Sequence, residues 1–290
     1  MRMWRWLLVL AVLVGAGVGV FLLRPVTGAA RDLTLAGDAE RGNYLIRIGG
    51  CVACHTAKDA AFLSGGAALK TAFGDFVPPN ITPDPEGGIG KWTFAEFSSA
   101  MSDGVGPGGK HYYPSFPYDN YTRMSDQEIA DLWAGLQAVE PVAEKAAEHS
   151  IAFPFNIRLA MLPWKNLFFK PGRLVPDPDR SEAWNRGAYL VNGPGHCVAC
   201  HTPRNLLGAR DENQALKGST GTPAGTVPAI DRDGLITKGY DAATLADVLN
   251  GGITPEFDVP GGAMNEVIRE GTIHWTAEDR AAVAEYLLGE

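Results

Sequence analysis

Cys51-Val52-Ala53-Cys54-His55 is the stretch that decides the fold of this chain, and it returns later as Cys197-Val198-Ala199-Cys200-His201. The pattern C-x-x-C-H is the attachment motif of c-type haem, in which two thiols add to the vinyl groups of one porphyrin and the adjacent histidine binds the iron. The chain has four cysteines, and all of them lie in these two motifs. We therefore predict two covalently bound haem c groups, attached through Cys51, Cys54, Cys197 and Cys200, with His55 and His201 as the proximal iron ligands.

Two other interpretations of paired cysteines fit this sequence less well. A zinc module built from two C-x-x-C pairs closes over a short loop, whereas these pairs lie in opposite halves of a chain of 290 residues. A redox dithiol explains neither the histidine after each pair nor the duplication. Free thiols outside the cytoplasm normally form disulfides, and thioether bonds to haem explain why these four need not.

The N-terminus has the features of a membrane anchor. A short basic stretch precedes an uninterrupted apolar run over residues 6–23, which ends at Arg24-Pro25. A run of this length just spans a bilayer as a helix, whereas the apolar part of a cleaved signal peptide is usually shorter. We therefore predict a retained signal-anchor over residues 1–30. Cleavage after the small residues Gly28-Ala29-Ala30 is the alternative.

The charges around the apolar run predict which side of the membrane the rest of the chain occupies. Arg2 and Arg5 remain in the cytoplasm under the positive-inside rule, so the chain after Arg24 crosses the membrane. Covalent haem attachment takes place on that outer face in bacteria. The predicted location is the bacterial inner membrane, with a single-pass anchor and periplasmic haem domains.

The two halves of the chain repeat one another around the motifs. Arg41-Gly42-Asn43-Tyr44-Leu45 leads into the first motif and Arg186-Gly187-Ala188-Tyr189-Leu190 into the second. Downstream, residues 92–105 align without gaps on residues 240–253, and both stretches have apolar residues at helical spacing before a glycine. Each half closes with a capped amphipathic helix that begins at Ser125 or Thr276.

This order of helix, motif, loop, helix, loop and helix is typical of a small all-α cytochrome c domain. We predict an all-α fold with two tandem cytochrome c domains after an N-terminal transmembrane helix. The domains cover residues 36–140 and 181–290, and a packed linker over residues 141–180 joins them. The many apolar residues of the linker predict that it packs against the domains.

Each iron needs a sixth ligand, and the second half offers Met264. This methionine lies in a loop after Pro260-Gly261-Gly262-Ala263, just before the final helix. A loop methionine suits the distal side of a haem, where a thioether ligand raises the reduction potential. Packing of Met264 in a core is the alternative, which the glycine-rich loop disfavours.

The first half departs from this pattern at Phe116. The repeat predicts a methionine at that position, and a phenyl ring cannot bind iron. Met124, just before the closing helix, is our first choice as the ligand, although it also suits a hydrophobic staple. His111 is the second choice and a vacant or water-bound position the third. Met101 aligns with an apolar helix position of the second half, so we predict that it packs in the core.

The composition argues against nucleic acid as a partner. The net charge of −8 is spread along the chain, with neither a basic block nor a phosphate-binding glycine loop. The 35 glycines and 20 prolines predict a loop-rich fold. Such a fold suits small haem domains, because the porphyrin supplies much of their core.

Both halves resemble the multihaem cytochrome c subunits of periplasmic membrane-bound dehydrogenases, which act on alcohols, gluconate, aldehydes or N-heterocycles. The resemblance extends from about residue 37 to residue 288. Many members have three haem domains where this chain has two motifs, and many have methionine at the position of Phe116. The matching stretches include Asn80-Ile81-Thr82-Pro83-Asp84, Gly88-Ile89-Gly90-Lys91-Trp92, Tyr113-Pro114-Ser115-Phe116-Pro117-Tyr118, Phe153-Pro154-Phe155-Asn156-Ile157-Arg158 and His201-Thr202-Pro203-Arg204-Asn205.

The resemblance implies an electron carrier in which Met264 binds the second iron. Such a subunit takes electrons from a catalytic dehydrogenase subunit and passes them to quinone or to another respiratory cytochrome. Since no residue stands out as a general acid, base or nucleophile, we do not expect the chain to be catalytic alone. Phe116 favours the alternatives: a dihaem oxidoreductase of the peroxidase or thiosulfate-dehydrogenase type with an open first haem, or a gas sensor.

Overall fold

Helices are the main regular element of the structure, and in each half one helix leads into the motif and another closes the half. The computed structural model describes residues 2–222 and 224–289. In chain order its α-helices are α1 (Arg2–Leu23), α2 (Ala39–Ile48), α3 (Cys51–His55), α4 (Phe94–Asp103), α5 (Tyr118–Tyr121), α6 (Asp126–Gln137), α7 (Met161–Phe168), α8 (Glu182–Asn192), α9 (Cys197–His201), α10 (Arg232–Thr237), α11 (Ala242–Leu249), α12 (Gly262–Glu270) and α13 (Ala277–Leu288).

The structure differs from the all-α prediction in having small antiparallel sheets. The strands have two to four residues, too short for an alternating apolar pattern to reveal them in the sequence. They are ordered β1-β2-β5, β3-β4 and β6-β7. Their bounds are β1 (Leu69–Thr71), β2 (Gly74–Phe76), β3 (Val105–Gly106), β4 (Lys110–His111), β5 (Ser150–Ile151), β6 (Ser219–Thr222) and β7 (Gly225–Val227).

Side-chain caps begin the closing helix of each half, as predicted. The Ser125 hydroxyl accepts a hydrogen bond from the Glu128 N–H at 3.2 Å, and the Glu128 carboxylate accepts one from the Ser125 N–H at 3.1 Å. The Thr276 hydroxyl accepts a hydrogen bond from the Asp279 N–H at 3.1 Å. These bonds satisfy N–H groups that have no partner within the helix.

The helix that leads into each motif crosses the closing helix of its own half at a glycine. α2 packs on α6 and α8 packs on α13. A Cβ atom at Gly42 would lie 2.0 Å from the Asp131 carbonyl oxygen, and one at Gly187 would lie 2.0 Å from that of Ala282. Because only glycine permits this approach, the crossing fixes the direction in which each helix delivers its motif.

An arginine next to each glycine forms an ion pair with a carboxylate of the closing helix at the same helix crossing. Arg41 donates to the Asp131 carboxylate through Nε at 2.7 Å and Nη2 at 2.8 Å. Arg186 makes the same two bonds to Asp279, also at 2.7 and 2.8 Å. Two parallel bonds between a guanidinium and a carboxylate fix the geometry as well as the distance.

The two halves contact each other through side chains of these helices. The Tyr189 hydroxyl donates to Glu128 Oε2 at 2.7 Å, and Arg47 Nη1 lies 3.8 Å from Glu270 Oε2. Further along the contact, Arg210 donates to Asn120 Oδ1 at 2.6 Å. The two motifs therefore belong to one packed unit.

The segment between the halves packs closely against the first half. β5 pairs with β2, and the buried Lys165 on α7 donates to the carbonyl oxygens of Asp103 at 2.7 Å and Gly104 at 2.9 Å. Burial lowers the pKa of Lys165 to about 8. Trp164 also reaches the second half, where its Nε1 donates to the Leu207 carbonyl at 2.9 Å.

The N-terminal helix lies beside α7. The span Met3–Leu23 of α1 is long and apolar enough to cross a membrane. Its most apolar stretch has a mean hydropathy of 2.7 and is not buried by the described remainder of the chain. Asn166 on α7 donates to the Arg24 carbonyl at 2.9 Å and accepts from Arg24 Nε at 2.9 Å. These bonds join the end of the helix to the linker segment that packs against the first half.

Candidate functional site

Both C-x-x-C-H motifs face one cavity of about 2500 Å³, which is lined by residues of both halves. Most of its wall is apolar, as expected of a site for a large flat cofactor. The structure thus brings the sequence-predicted haem residues together in one space. Those that line it are Cys51, Cys54, His55, Cys197, Cys200 and His201.

The motif histidines are oriented by backbone carbonyl groups in the same way. His55 Nδ1 lies 2.7 Å from the Pro79 carbonyl oxygen, and His201 Nδ1 lies 2.8 Å from that of Pro228. Because a carbonyl oxygen only accepts, Nδ1 must carry the proton, which leaves Nε2 of each ring to bind a metal. Burial also lowers the pKa of both imidazoles, which favours the neutral, ligating form.

The sequence analysis missed these two carbonyl groups, although the repeat contains a signal for them. Pro79-Asn80-Ile81 follows the first motif and Pro228-Ala229-Ile230 follows the second. The shared Pro-x-Ile pattern marks the two backbone segments that orient the histidines. An alignment of the two halves on this pattern identifies both segments from the sequence alone.

The cysteines are thiols at neutral pH. Burial raises the pKa of Cys51 and of Cys197 to about 12. It also raises that of Cys54 to about 11, and the nearby Cys200 adds to the rise. Both Cys54 and Cys200 line the cavity.

The donor set in each half fits a c-type haem. Each motif presents two cysteines three positions apart on one helical turn, and it places a histidine with a free Nε2 on the wall of the same cavity. Thiols at that spacing match the two vinyl groups of one porphyrin, and the imidazole matches the proximal position of its iron.

Met264 and Met101 line the cavity, whereas Met124, predicted as the first iron's ligand, is not part of its described wall. Met124 is 1% exposed and packs in the hydrophobic core. Among the described residues of the cavity wall, neither Met124 nor His111 occurs. Met101, predicted to be core, is indeed buried at 5% exposure, yet it also forms part of the wall.

The contacts of Met124 and His111 explain why neither side chain lines the cavity. Met124 follows the turn after α5 and joins the cluster around α6, which corresponds to the staple role weighed for it. His111 lies on β4, where its Nδ1 is 3.3 Å from Lys165 Nζ. Burial and the charge of Lys165 lower the pKa of this histidine.

Phe116 lines the cavity, and aromatic rings surround it. Its ring centroid lies 5.6 Å from that of Tyr112 and 5.5 Å from that of Tyr121. The Tyr121 hydroxyl donates to the Gly49 carbonyl at 2.7 Å, beside the first motif. Phe116 thus belongs to an aromatic wall that extends to the start of α3.

Comparison with known proteins gives matches over the whole chain. The sequence model of the cytochrome c family matches residues 39–139. A dihaem cytochrome c-type protein of Cereibacter sphaeroides is 43% identical over 283 residues, which cover 95% of this chain and 94% of that protein. A nicotinate dehydrogenase subunit of Pseudomonas putida is 37% identical over 290 residues, which cover 97% of this chain and 24% of that subunit.

A third relative is the cytochrome c subunit of the quinone-dependent alcohol dehydrogenase of Gluconacetobacter polyoxogenes. It is 35% identical over 257 residues, which cover 86% of this chain. The chain spans about half the length of this relative, 55%, and about a quarter of the nicotinate dehydrogenase subunit. Its similarity to the larger subunits therefore concerns one part of each.

Proposed function

The chain belongs to the family of c-type cytochromes that comprises dihaem cytochromes and the cytochrome c subunits of dehydrogenases, and on that premise we propose that it is a membrane-anchored dihaem electron carrier. It accepts electrons from a periplasmic dehydrogenase subunit and passes them to quinone or to a downstream respiratory cytochrome. The single observation that carries this proposal is the common cavity onto which both C-x-x-C-H motifs open.

In this proposal each motif holds one haem c. Cys51 and Cys54 attach the first and Cys197 and Cys200 the second, with His55 and His201 as proximal ligands. The bound haem supplies a one-electron iron couple whose potential depends on axial ligand, burial and nearby charge. The Pro79 and Pro228 carbonyl groups hold the two imidazoles in the ligating tautomer, and the apolar wall excludes water.

The sixth ligands follow from the methionines on the cavity wall. Met264 serves the second iron. For the first iron the position of Met101 favours it over Met124 and His111, because α4 places Met101 on the wall while the other two lie elsewhere. A thioether from Met101 would raise the potential of a haem bound there and would supply the ligand that Phe116 cannot.

The repeated helix order supports two cytochrome c domains, residues 36–140 and 181–290, with residues 141–180 as a packed linker. In each domain a glycine crossing joins the first helix to the last. A domain of this size gains much of its core from the porphyrin, which agrees with the large apolar cavity between the helices.

The apolar α1 supports an anchor in the bacterial inner membrane over residues 1–30, with both motifs in the periplasm. Arg2 and Arg5 precede the span, and the positive-inside rule keeps them in the cytoplasm. The bonds between Asn166 and Arg24 then hold the linker, and through it the first domain, next to the membrane surface, where a lipid-soluble quinone is available.

The names of the relatives support a dehydrogenase as the electron donor, since nicotinate and alcohol dehydrogenase subunits are among them. The rival function, a dihaem oxidoreductase with an open first haem, rests on Phe116. The aromatic wall around Phe116 and the nearby Met101 both weigh against an open position.

Purification of the native complex distinguishes these functions. The full chain with a C-terminal affinity tag is extracted from membranes in mild detergent, and co-purifying proteins are identified by mass spectrometry against an untagged strain. We expect a catalytic dehydrogenase subunit, whose substrate reduces the haems of the complex. A chain that purifies alone and turns over peroxide at one haem contradicts the carrier and supports the rival.

A further inference from the structure

The residue before the first cysteine of each motif has a left-handed backbone. Gly50 has φ 67° and ψ 14° at the start of α3, and His196 has φ 39° and ψ 35° at the start of α9. Glycine adopts this conformation freely, whereas a residue with a side chain is strained in it. The two equivalent positions therefore differ in strain, and the second retains a histidine despite it.

The imidazole of His196 occupies the space left by the missing side chain of Gly50. A Cβ atom at Gly50 would lie 2.9 Å from His196 Nε2, so the ring rests directly on the turn that leads into the first motif. Each of the two equivalent residues thus touches the other, and the turns before Cys51 and Cys197 meet at this point.

Tyr121 contacts both turns at this junction. Its hydroxyl donates to the Gly49 carbonyl at 2.7 Å, and its ring meets the His196 ring edge to face, with centroids 5.9 Å apart and an interplanar angle of 74°. Tyr121 is buried, with 5% exposure. Two aromatic rings therefore fix the backbone before the first motif relative to the backbone before the second.

Backbone bonds alone do not require a histidine here. The His196 N–H donates to the Gly193 carbonyl at 3.0 Å, and the Ala199 N–H donates to the His196 carbonyl at 2.8 Å. Glycine at position 196 makes both bonds without strain, since they involve only the main chain. A strained residue that its backbone role does not need points to a function of the side chain.

We infer that His196 is a positioning residue that locks the two haem-attachment turns together and so fixes the separation of the two haems and the redox coupling between them. This inference rests on the proposed dihaem function and goes beyond it, because it assigns the coupling to one junction, Gly49-Gly50 against His196. Transfer between the haems moves one electron from the reduced centre to the oxidised one and breaks no bond, so it needs no co-reactant.

The coupling acts in both directions. Oxidation of one haem changes the potential of the other by the same free energy whichever is oxidised first. A change at position 196 therefore shifts both midpoint potentials in a redox titration, although His196 is not assigned to either iron. A substitution that lowers the stability of the fold without moving either haem leaves both potentials unchanged.

The test uses the full chain in detergent with three variants: His196→Gly, His196→Ala and Tyr121→Phe. Glycine removes the ring and relieves the left-handed strain, whereas alanine removes the ring and keeps the strain. The measurements are haem content per chain, circular dichroism of the Soret band for haem–haem interaction, the two midpoint potentials and stability to denaturant. Tyr121→Phe tests the second contact of the junction.

We expect both position-196 variants to bind two haems and to lose the haem–haem dichroism to the same extent, with the glycine variant more stable than the alanine variant. Tyr121→Phe should weaken the dichroism partly. Wild-type dichroism and potentials in His196→Gly would overturn the inference. A wild-type chain that binds fewer than two haems instead overturns the proposed function, and haem content alone reveals it.

Discussion

Tyr44 and Asp279 lie 235 residues apart, and the Tyr44 hydroxyl donates to Asp279 Oδ2 at 2.7 Å. Tyr189, which matches Tyr44 in the repeat, makes the same bond at 2.7 Å to Glu128. Glu128 and Asp279 are in turn the third residues of α6 and α13. The first helix of each half thus reaches the start of the closing helix of the other.

Removal of either hydroxyl should destabilise the folded chain. Tyr44→Phe and Tyr189→Phe each lose a hydrogen bond to a carboxylate, worth about 1.5–3 kcal/mol. Denaturant unfolding of the haem-loaded protein measures the loss. Tyr118→Phe is the control, because the buried Tyr118 hydroxyl has no partner in the described part of the chain. Its removal should leave stability unchanged or raise it, and an equal loss in all three variants contradicts the assignment.

The contact at Asp279 predicts a dependence of stability on pH. Burial by itself raises the pKa of this carboxyl. The hydrogen bonds from Arg186 and Tyr44 lower the pKa by more than burial raises it, so that it lies below its ordinary value of 3.8. A depressed pKa adds stability that is present above 3.8 and is lost as the pH falls through the folded-state pKa.

Asp279→Asn measures this contribution. The variant should be less stable than the wild type by about 2 kcal/mol at neutral pH, the magnitude of a hydrogen bond to a charged group. The difference should shrink as both proteins are unfolded at successively lower pH. A difference that stays constant down to strongly acidic pH shows that the carboxylate charge is not its source.

Methionine-to-leucine substitutions identify the axial ligands, because leucine retains the volume and removes the sulfur. Met101→Leu and Met264→Leu should each turn one haem high-spin and lower its potential. Met124→Leu is the matched control: it should cost less than about 1.5 kcal/mol of stability and leave the absorption spectrum unchanged. A spectral change in Met124→Leu and none in Met101→Leu would show that Met124, the ligand predicted from the sequence, binds the first iron.

Paired cysteine substitutions test covalent attachment at each site. Cys51→Ala with Cys54→Ala should remove the haem of the first motif, and Cys197→Ala with Cys200→Ala that of the second. Haem staining after denaturing electrophoresis should weaken in each and vanish when all four are replaced. If acid–acetone extraction removes the stain from the wild-type chain, the haem is not covalently bound.

Retention of the N-terminal helix is tested on the protein in its native membrane. Alkaline washing should leave the chain in the membrane, because α1 spans it, and N-terminal sequencing should start at or near Met1. Release by the wash, with a mature start near Ala30, indicates a cleaved signal. The cavity and both motifs lie beyond that point, so either result leaves their role intact.

Spacing and repetition were sufficient to predict much of this structure. The C-x-x-C-H motifs, the helices before them and the caps at Ser125 and Thr276 depend on residues close in sequence, and the structure has them where the sequence analysis placed them. Met264 also lines the cavity, but it lies within α12 and not in the loop that the sequence predicted. Local hydrogen bonding and helical spacing determine each of these features.

Contacts between distant parts of the chain were not predictable in the same way. Whether Met101 or Met124 faces the cavity depends on how α4 and α6 pack, and both methionines suit a core by composition alone. Pattern analysis does not single out His196, because its proposed role depends on its left-handed backbone and on its contact with Gly50. Such features arise only when the two halves are assembled.

The reciprocal tyrosine bonds have a consequence for assembly. Because Tyr44 meets Asp279 while Tyr189 meets Glu128, each half presents a tyrosine and a carboxylate that pair with those of the other. An isologous contact of this kind is closed: two copies satisfy one another and leave no such patch for a third. A third domain of the same kind would therefore have to dock on a different face of the pair.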